Sequence, residues 1–326
     1  MSEPLELVQR WLQRGQGDLM GSQGLVLGVD IGSYGIRAIL ADLQGQLLTV
    51  DSRPLPAPDA DAEATVAEAL ALVRSLLEQA GTPPQRIIRV GVGFAGPVDA
   101  ISGMTRLSHR ARGWELFPLA QRFEAVFDAP TLLGNDANLS ALAEATCGVG
   151  SDVRNLFYLH LSSGVGGGFV VDRRLYHGAT TTAGEIGHAI VRYDGPPCSC
   201  GANGHLEAYV SVDGLLRRAN ELGLRTDDLE QLFADGRAGQ QTVAEAAELL
   251  GKTLANVINL VDPHMIVVGG IVARRGGEPF LEMVRARCQE GLPPPMRRPV
   301  PVVLAALGFE SVAVGALALA VQSLAD

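Results

Sequence analysis

The chain has 326 residues, of which 47% are apolar, and a formal net charge of -10. This length predicts two domains with sizeable cores, at about 100–200 residues per domain. The acidic balance argues against broad contact with nucleic acid or an anionic membrane, because phosphate contacts need clustered arginine and lysine.

The N-terminal segment, residues 1–24, has neither the apolar core nor the cleavage site of a signal peptide. The spacing of Leu5, Val8, Trp11 and Leu12 predicts instead a short amphipathic helix. No segment reaches the ~18 uninterrupted apolar residues that a membrane helix needs. We therefore expect a cytoplasmic protein, whose four cysteines are reduced and form no disulfide framework.

A meander of strands separated by glycine-containing turns follows, and then α and β segments alternate up to Asn135 and Asp136. The predicted elements are strands at 25–29, 36–41 and 47–50, a helix at 63–80, a strand at 86–94, a loop at 95–103, a helix at 115–127 and a strand at 130–133.

After a helix at 137–147 the pattern starts again with a strand, the glycine turn "SSGVGGG" and a further strand, which indicates an internal duplication of one α/β unit. Helices dominate 211–260. A buried strand, a helix at 278–290, the strand "VPVVLAAL" and a helix at 311–323 complete the chain. Two similar units whose strands end in glycine turns imply a ligand in the crevice between them.

Three glycine turns, each after a strand, are candidates for holding phosphate, because glycine lets backbone N–H groups approach an anion without a Cβ in the way. One such turn is more often ordinary turn chemistry, but three in this order, with Asp30 in the first, favour a bound phosphate. The candidate residues are Gly32, Ser33, Ser163, Gly164, Gly166, Gly269 and Gly270.

Two other glycine patterns match phosphate motifs only formally. Residues 91–96 (GVGFAG) fit the dinucleotide-binding pattern, but Pro97 and a loop follow where the phosphate-holding helix should begin. Residues 251–253 (GKT) resemble the end of a P-loop, but Ala246 replaces its first glycine. Lys252 is the only lysine of the chain, which excludes the phosphate clamps of P-loop proteins and protein kinases. A phosphotransferase with this sequence would have to hold phosphate with metal, backbone amides and helix ends.

The segment "GNDAN" places Asp136 at a strand-to-helix junction, where a carboxylate can take the proton of an attacking hydroxyl. The alternative is a helix N-cap, in which Asn135 or Asp136 accepts hydrogen bonds from first-turn amides. The residues alone leave both interpretations open.

Four soft metal ligands lie within eighteen residues, separated by glycine and proline: His188, Cys198, Cys200 and His205. They would form a closed, tetrahedral and hence structural zinc site. The alternative is a reduced turn without metal. A zinc ion here would order the loop that carries Glu185 and Glu207, whose carboxylates could hold sugar hydroxyls.

Together these motifs resemble the ROK family (repressors, open reading frames and kinases of sugars) of the actin/hexokinase-like superfamily, from about residue 24 to the C-terminus. "VDIG" and "SSGVGGG" are similar to its two phosphate motifs and "VVGGIV" to its adenosine-side motif. "GNDAN" is similar to its catalytic segment, and "GEIGH" with "CSCGANGHLE" to its zinc and sugar signature.

The resemblance implies an α/β, two-lobe actin-like ATPase (ribonuclease H-like) fold with a central nucleotide and sugar cleft. Residues 1–24 would form a helical extension, 25–134 with 305–326 the smaller lobe, and 135–304 the larger lobe with the zinc loop. A dimer is the family's usual minimum, so the resemblance implies a homodimer or homotetramer.

The resemblance also implies the chemistry. Asp30 would assist the phosphates of Mg²⁺–ATP, Asp136 would activate the acceptor hydroxyl, and a structural Zn²⁺ would have His188 among its ligands. The implied sugar-binding residues are Asn135, Asp136, Glu185, His188 and Glu207.

Four departures from the family pattern stand out. Ser33, Tyr34 and Gly35 replace the usual Gly-Thr-Lys, and a tyrosine there could crowd the β- and γ-phosphates. His205 replaces a cysteine, which keeps a set competent to bind zinc. Residues 108–114 (SHRARGW) lack a common sugar-contacting asparagine, and the adenosine-side motif has two glycines instead of three.

Two functions follow from these residues. The first is ATP-dependent phosphorylation of a hexose or N-acetylhexosamine. The second is a sugar-binding sensor that phosphorylates poorly or not at all, which the Ser33-Tyr34-Gly35 departure favours. A DNA-binding repressor is disfavoured, because 24 residues before the fold are too few for a winged helix-turn-helix and the charge is acidic. We thus expect sugar and ATP as partners, with no direct contact to nucleic acid or membrane.

Overall fold

A computed structural model describes residues 2–14, 24–33, 35–57, 60–107, 111–234, 236–294 and 300–325. Tyr34 and residues 108–110, which belong to two of the departures noted above, lie outside these ranges. Among the described residues, no helix is long and apolar enough to cross a membrane.

Helices and strands alternate along both halves of the chain. The N-terminal half contains α1 (Glu3–Arg14), β1 (Leu25–Ile31), β2 (Ile36–Asp42), β3 (Leu47–Arg53), α2 (Ala62–Gln79), β4 (Ile87–Phe94), β5 (Val98–Asp99), β6 (Met104–Thr105), α3 (Leu119–Phe127), β7 (Thr131–Asn135) and α4 (Asp136–Thr146). The C-terminal half contains β8 (Leu156–Leu161), β9 (Val165–Val171), β10 (Arg174–Leu175), α5 (Glu207–Val210), α6 (Val212–Glu221), α7 (Leu229–Ala234), α8 (Ala238–Val261), β11 (Met265–Gly269), α9 (Ile271–Glu290), β12 (Val302–Leu304) and α10 (Ser311–Gln322).

The chain divides into two compact units. The first comprises residues 1–152, 173–183 and 306–326, and the second comprises 153–172 and 184–305. The first unit contains a sheet in the order β3, β2, β1, β4, β7, with β1 antiparallel to β2 and parallel to β4. All seven residues of β1 are buried, which accounts for its nearly uninterrupted apolar sequence.

The second unit repeats this arrangement. Its strands β9, β8, β11 and β12 lie side by side with the same order and directions as β2, β1, β4 and β7. The apolar cluster of this unit gathers strand residues such as Phe157 and Val268 with α8 residues such as Leu250. The repetition agrees with the duplication that the sequence predicts.

The first unit extends further along the chain than the predicted boundary at residue 134, because α4 packs against α10. Gly315 of α10 faces the carbonyl oxygen of Leu139 so closely that a Cβ would overlap it, and the hydroxyls of Ser140 and Ser311 lie 3.0 Å apart. The buried carboxylate of Glu144 strengthens this pairing. It accepts hydrogen bonds from the backbone N–H groups of Val149 and Leu307 at 3.1 and 2.9 Å.

Three local elements differ from the predicted ones. Most of "SSGVGGG" is not a turn but the start of β9, because its glycines pair with β8 and leave only the segment around Ser163 as the connection. The predicted loop at 95–103 contributes to the small hairpin of β5 and β6. The helix predicted at 278–290 already begins at Ile271 and is kinked at Gly277, which has φ 56°.

Candidate functional site

The hairpin of β1 and β2 positions Asp30. The register pairs Asp30 directly with Arg37, so their side chains leave the same face of the sheet. The Arg37 Nη1 atom lies 3.3 Å from Asp30 Oδ2. Gly32 lies beside this carboxylate, where a Cβ would be 3.1 Å from the carbonyl oxygen of Gly35 and 3.3 Å from Asp30 Oδ1. Ser33 follows in the same turn.

Asp30 is 3% exposed, and its Oδ1 atom has no hydrogen-bond partner among the described residues. Burial raises the pKa of its carboxyl to about 7; the charge of Arg37 opposes this rise and that of Asp136 adds to it. A buried carboxylate oxygen without a partner fits a hard cation such as Mg²⁺, which takes oxygen ligands.

Replacing Asp30 by asparagine is expected to change how stability depends on pH. The pKa of this carboxyl is about 7 in the folded protein and 3.8 in the reference state of a free side chain. Between these pH values the folded protein binds more protons than the unfolded chain. The wild type therefore loses stability as the pH rises from about 4 to 7. The free energy of unfolding of the wild type should therefore fall relative to that of Asp30→Asn between about pH 4 and 7, and no further above. Urea melts over this range measure the difference; two parallel curves would contradict the account.

The junction of β7 and α4 has the helix N-cap that one interpretation of "GNDAN" predicts. The side chain of Asn135 is the N-cap and accepts a hydrogen bond from the N–H of Asn138 at 2.8 Å. Asp136 is the first helical residue, and its Oδ1 accepts from the N–H of Ala137 at 2.8 Å. Because Asn135 supplies the cap, the second carboxylate oxygen of Asp136 is left for another partner.

The second glycine motif connects β8 to β9. Ser163 and Gly164 form the connection, and Gly166 lies in β9 opposite His160. The N–H of Val165 donates to Oε2 of Glu207 at 3.0 Å. A Cβ at Gly164 would come within 3.2 Å of this oxygen, so glycine gives the carboxylate its room.

The third glycine motif lies between β11 and α9. Gly269 ends β11 beside the ring of Tyr158, where a Cβ would overlap the phenol oxygen. Gly270 has φ 91° and its Cα lies against the backbone of Leu161, so only glycine is tolerated before the start of α9.

The predicted metal ligands come together in the second unit. One ligand atom of each of His188, Cys198, Cys200 and His205 lies within 4.8 Å of all the others. The Sγ atom of Cys198 is 3.7 Å from Nδ1 of His188, and that of Cys200 is 3.3 Å from Nδ1 of His205. Two thiols and two imidazoles within this radius fit a tetrahedral zinc ion.

Local backbone bonds explain why these four residues meet. The N–H of Cys198 donates to Ala202 at 2.8 Å, and the N–H of Gly201 donates back to Cys198 at 3.0 Å, which closes a tight turn around the thiols. Ile190 and His205 form an antiparallel bridge that brings the two histidines together. Burial raises the pKa of the Cys198 thiol to about 11, so its thiolate needs a compensating cation.

Two predicted sugar-binding carboxylates adjoin this cluster. Glu185 is exposed, and its Oε2 lies 3.8 Å from Nε2 of His188, the ring nitrogen not facing Cys198. His188 can therefore serve the metal with one nitrogen and a sugar with the other. Oε1 of Glu207 accepts from Ser199 at 2.5 Å, so this carboxylate links the cysteine turn to the β8–β9 connection.

Each unit thus gathers its own part of the predicted site. The first unit holds Asp30, Gly32, Ser33, Asn135 and Asp136, and the second holds Ser163, Gly164, Gly166, Glu185, His188, Cys198, Cys200, His205, Glu207, Gly269 and Gly270. Sequence reasoning missed Arg37. The sequence carries no pattern for it, because only the register of the hairpin places the residue seven positions after Asp30 opposite this carboxylate.

The repeated sheets and their glycine motifs define an actin-like ATPase fold, which solved structures share. A ROK hexokinase from Thermus thermophilus is 31% identical, with 93% of this chain and 99% of that chain covered and a TM-score of 0.81. A ROK glucokinase from Streptomyces griseus, in complex with glucose and AMPPNP, is 30% identical, with 92% and 100% covered and a TM-score of 0.76.

The sequence itself is similar to enzymes and regulators alike. A xylose repressor from Caldicellulosiruptor bescii is 28% identical over 279 residues, which make up 80% of this chain and 69% of the repressor. Residues 26–323 match the ROK family. The chain belongs to the ROK family, as the sequence motifs predicted.

Proposed function

We propose that the chain is an ATP-dependent sugar kinase that phosphorylates a hexose or an N-acetylhexosamine. The observation that carries the proposal is the pair of carboxylates in the first unit. Asp30 is buried with one oxygen unpartnered, and Asp136 stands at the start of α4 while Asn135 supplies the cap. The similarity to a hexokinase and a glucokinase supports this assignment.

In the proposed reaction Asp136 accepts the proton of the attacking sugar hydroxyl. The hydroxyl oxygen forms a bond to the γ-phosphorus of ATP as the bond to the oxygen of ADP breaks. Asp30 would hold Mg²⁺, which when bound neutralises phosphate charge. Keeping Asp136 free of the capping role leaves its carboxylate available for the proton.

Sugar recognition would depend on polar side chains that can form hydrogen bonds with sugar hydroxyls. Asn135 uses its Oδ1 for the cap and keeps its amide N–H₂ as a donor. The exposed carboxylate of Glu185 and Nε2 of His188 offer adjacent hydrogen-bond partners for sugar hydroxyls. Glu207 has one carboxylate oxygen that accepts a single backbone bond and can accept another. A structural Zn²⁺ would order this loop.

A sugar-binding sensor without kinase activity is the second candidate. Two observations favour it. The chain is similar to a xylose repressor. The ion pair with Arg37 also occupies one of the two oxygens of the Asp30 carboxylate, which a nucleotide-bound metal would need. In this case the chain would bind a sugar through the same side chains but would transfer no phosphate to it.

The test is ATP consumption with glucose, N-acetylglucosamine, N-acetylmannosamine, mannose, fructose and allose, alongside the melting temperature with each sugar. A kinase forms ADP with at least one sugar that also raises the melting temperature. If sugars raise the melting temperature while none stimulates ADP formation, the sensor is correct and the kinase proposal fails.

A further inference from the structure

The hairpin of β1 and β2, which carries the candidate phosphate-binding residues Gly32 and Ser33, has no lysine. Gly35 stands where the family pattern has one, and the chain's single lysine, Lys252, lies on α8 of the second unit, where it is paired with Glu248 at 2.6 Å. A polyphosphate bound at this hairpin would bring several negative charges close to the carboxylates of Asp30 and Asp136. A cation of the first unit close to this hairpin would offset these charges together with the metal.

Arg37 is placed to do so by the register of the hairpin. It lies opposite Asp30 across β1 and β2, so the same turn that presents Gly32 and Ser33 also presents its guanidinium. Arg37 is the cation whose charge lowers the pKa of Asp30. Its guanidinium carbon lies 5.5 Å from the centre of the Phe309 ring, which restricts where the planar group can swing.

The guanidinium of Arg37 also has N–H donors that a ligand could use. Of its five N–H groups, one bonds to Asp30, and no further acceptor for the others is found among the described residues. Its side chain is 26% exposed, so a ligand can reach it. A guanidinium fork binds phosphate oxygens in a bidentate manner, which a lysine cannot do.

We propose that Arg37 is a nucleotide-binding residue that contacts the terminal phosphates of a nucleoside triphosphate in place of the lysine of the family pattern. Without nucleotide it pairs with Asp30. When nucleotide binds, the guanidinium exchanges this carboxylate for phosphate oxygens and leaves Asp30 for the metal. This inference rests on the proposed kinase function and deepens it.

The experiment is calorimetric binding of AMPPNP with Mg²⁺ to the wild type, Arg37→Met, Arg37→Lys and Arg53→Ala. Methionine keeps the length of the side chain without its charge. Arg53, on the neighbouring strand β3, is paired with Glu68 at 2.8 Å and is the matched control. We expect Arg37→Met to weaken binding about tenfold or more, Arg37→Lys to weaken it less, and Arg53→Ala to change it less than about twofold.

A second comparison separates contact with phosphate from an effect through the carboxylate. If Arg37 acts only by pairing with Asp30, then Arg37→Met does not change the affinity for AMPPNP in an Asp30→Asn background. If Arg37 contacts phosphate, as proposed, Arg37→Met weakens AMPPNP binding in that background as well. Unchanged or tighter binding by Arg37→Met overturns the inference while the kinase proposal stands. A wild type that does not bind AMPPNP at all overturns both.

Discussion

Asp136→Asn should reduce kcat for sugar phosphorylation by about 10²–10⁴-fold, the range that a positioned general base contributes. Asparagine keeps the Oδ1 that accepts from Ala137, and Asn135 still caps α4, so the fold and the affinity for both substrates should be nearly unchanged. Steady-state kinetics with the preferred sugar measure kcat and KM separately.

The matched control is Asp128→Asn. Asp128 is an exposed carboxylate of the same unit that ends α3 with φ 50°, a left-handed conformation that asparagine tolerates. This variant should keep wild-type kcat. If Asp136→Asn retains kcat within about threefold of the wild type, well short of the ~10²-fold loss expected for a base, Asp136 is not the catalytic base.

Cys198→Ser should remove the bound metal and lower the melting temperature. Thiolates bind zinc far better than a serine hydroxyl, and a ligand that binds only the folded state stabilises it by about 4 kcal/mol when its free concentration is a thousand times Kd. Purified wild type should contain about one zinc per chain, the content expected for a single four-ligand site, and the variant much less. Metal analysis and thermal melts measure the two effects.

Cys288→Ala is the control for this experiment, because Cys288 is a buried thiol of the same unit that lies in the apolar cluster and outside the metal ligands. It should keep its zinc. A zinc chelator should lower the melting temperature of the wild type and of Cys288→Ala but not that of Cys198→Ser. Equal zinc content in Cys198→Ser and Cys288→Ala would overturn the Cys₂His₂ assignment.

The parts of the site that local sequence encodes were predictable. Apolar patterning and capping chemistry predict a strand at 130–133 and a helix at 137–147, and the structure has β7 at Thr131–Asn135 and α4 at Asp136–Thr146. The metal ligands lie within one loop, so their spacing alone predicted that they would meet. The duplication was predictable because the pattern of strands and glycines starts again after Asp136, and the two sheets share their strand order.

The parts that depend on distant packing were not predictable. The extent of the first unit depends on α10, which returns from the end of the chain and packs on Leu139 and Ser140 of α4. The pairing of Asp30 with Arg37 depends on hairpin register, which no composition pattern reveals. The glycines of "SSGVGGG" predict a turn because glycine favours turns, but most of them lie in β9 and pair with β8 in the sheet.

Kinase activity is tested by ³¹P NMR of the wild type with Mg²⁺, ATP and the sugar that raises its melting temperature most. The kinase account predicts a new sugar-phosphate resonance that grows in step with ADP and is lost in Asp136→Asn. An unchanged ATP spectrum, with the sugar still raising the melting temperature, would contradict it.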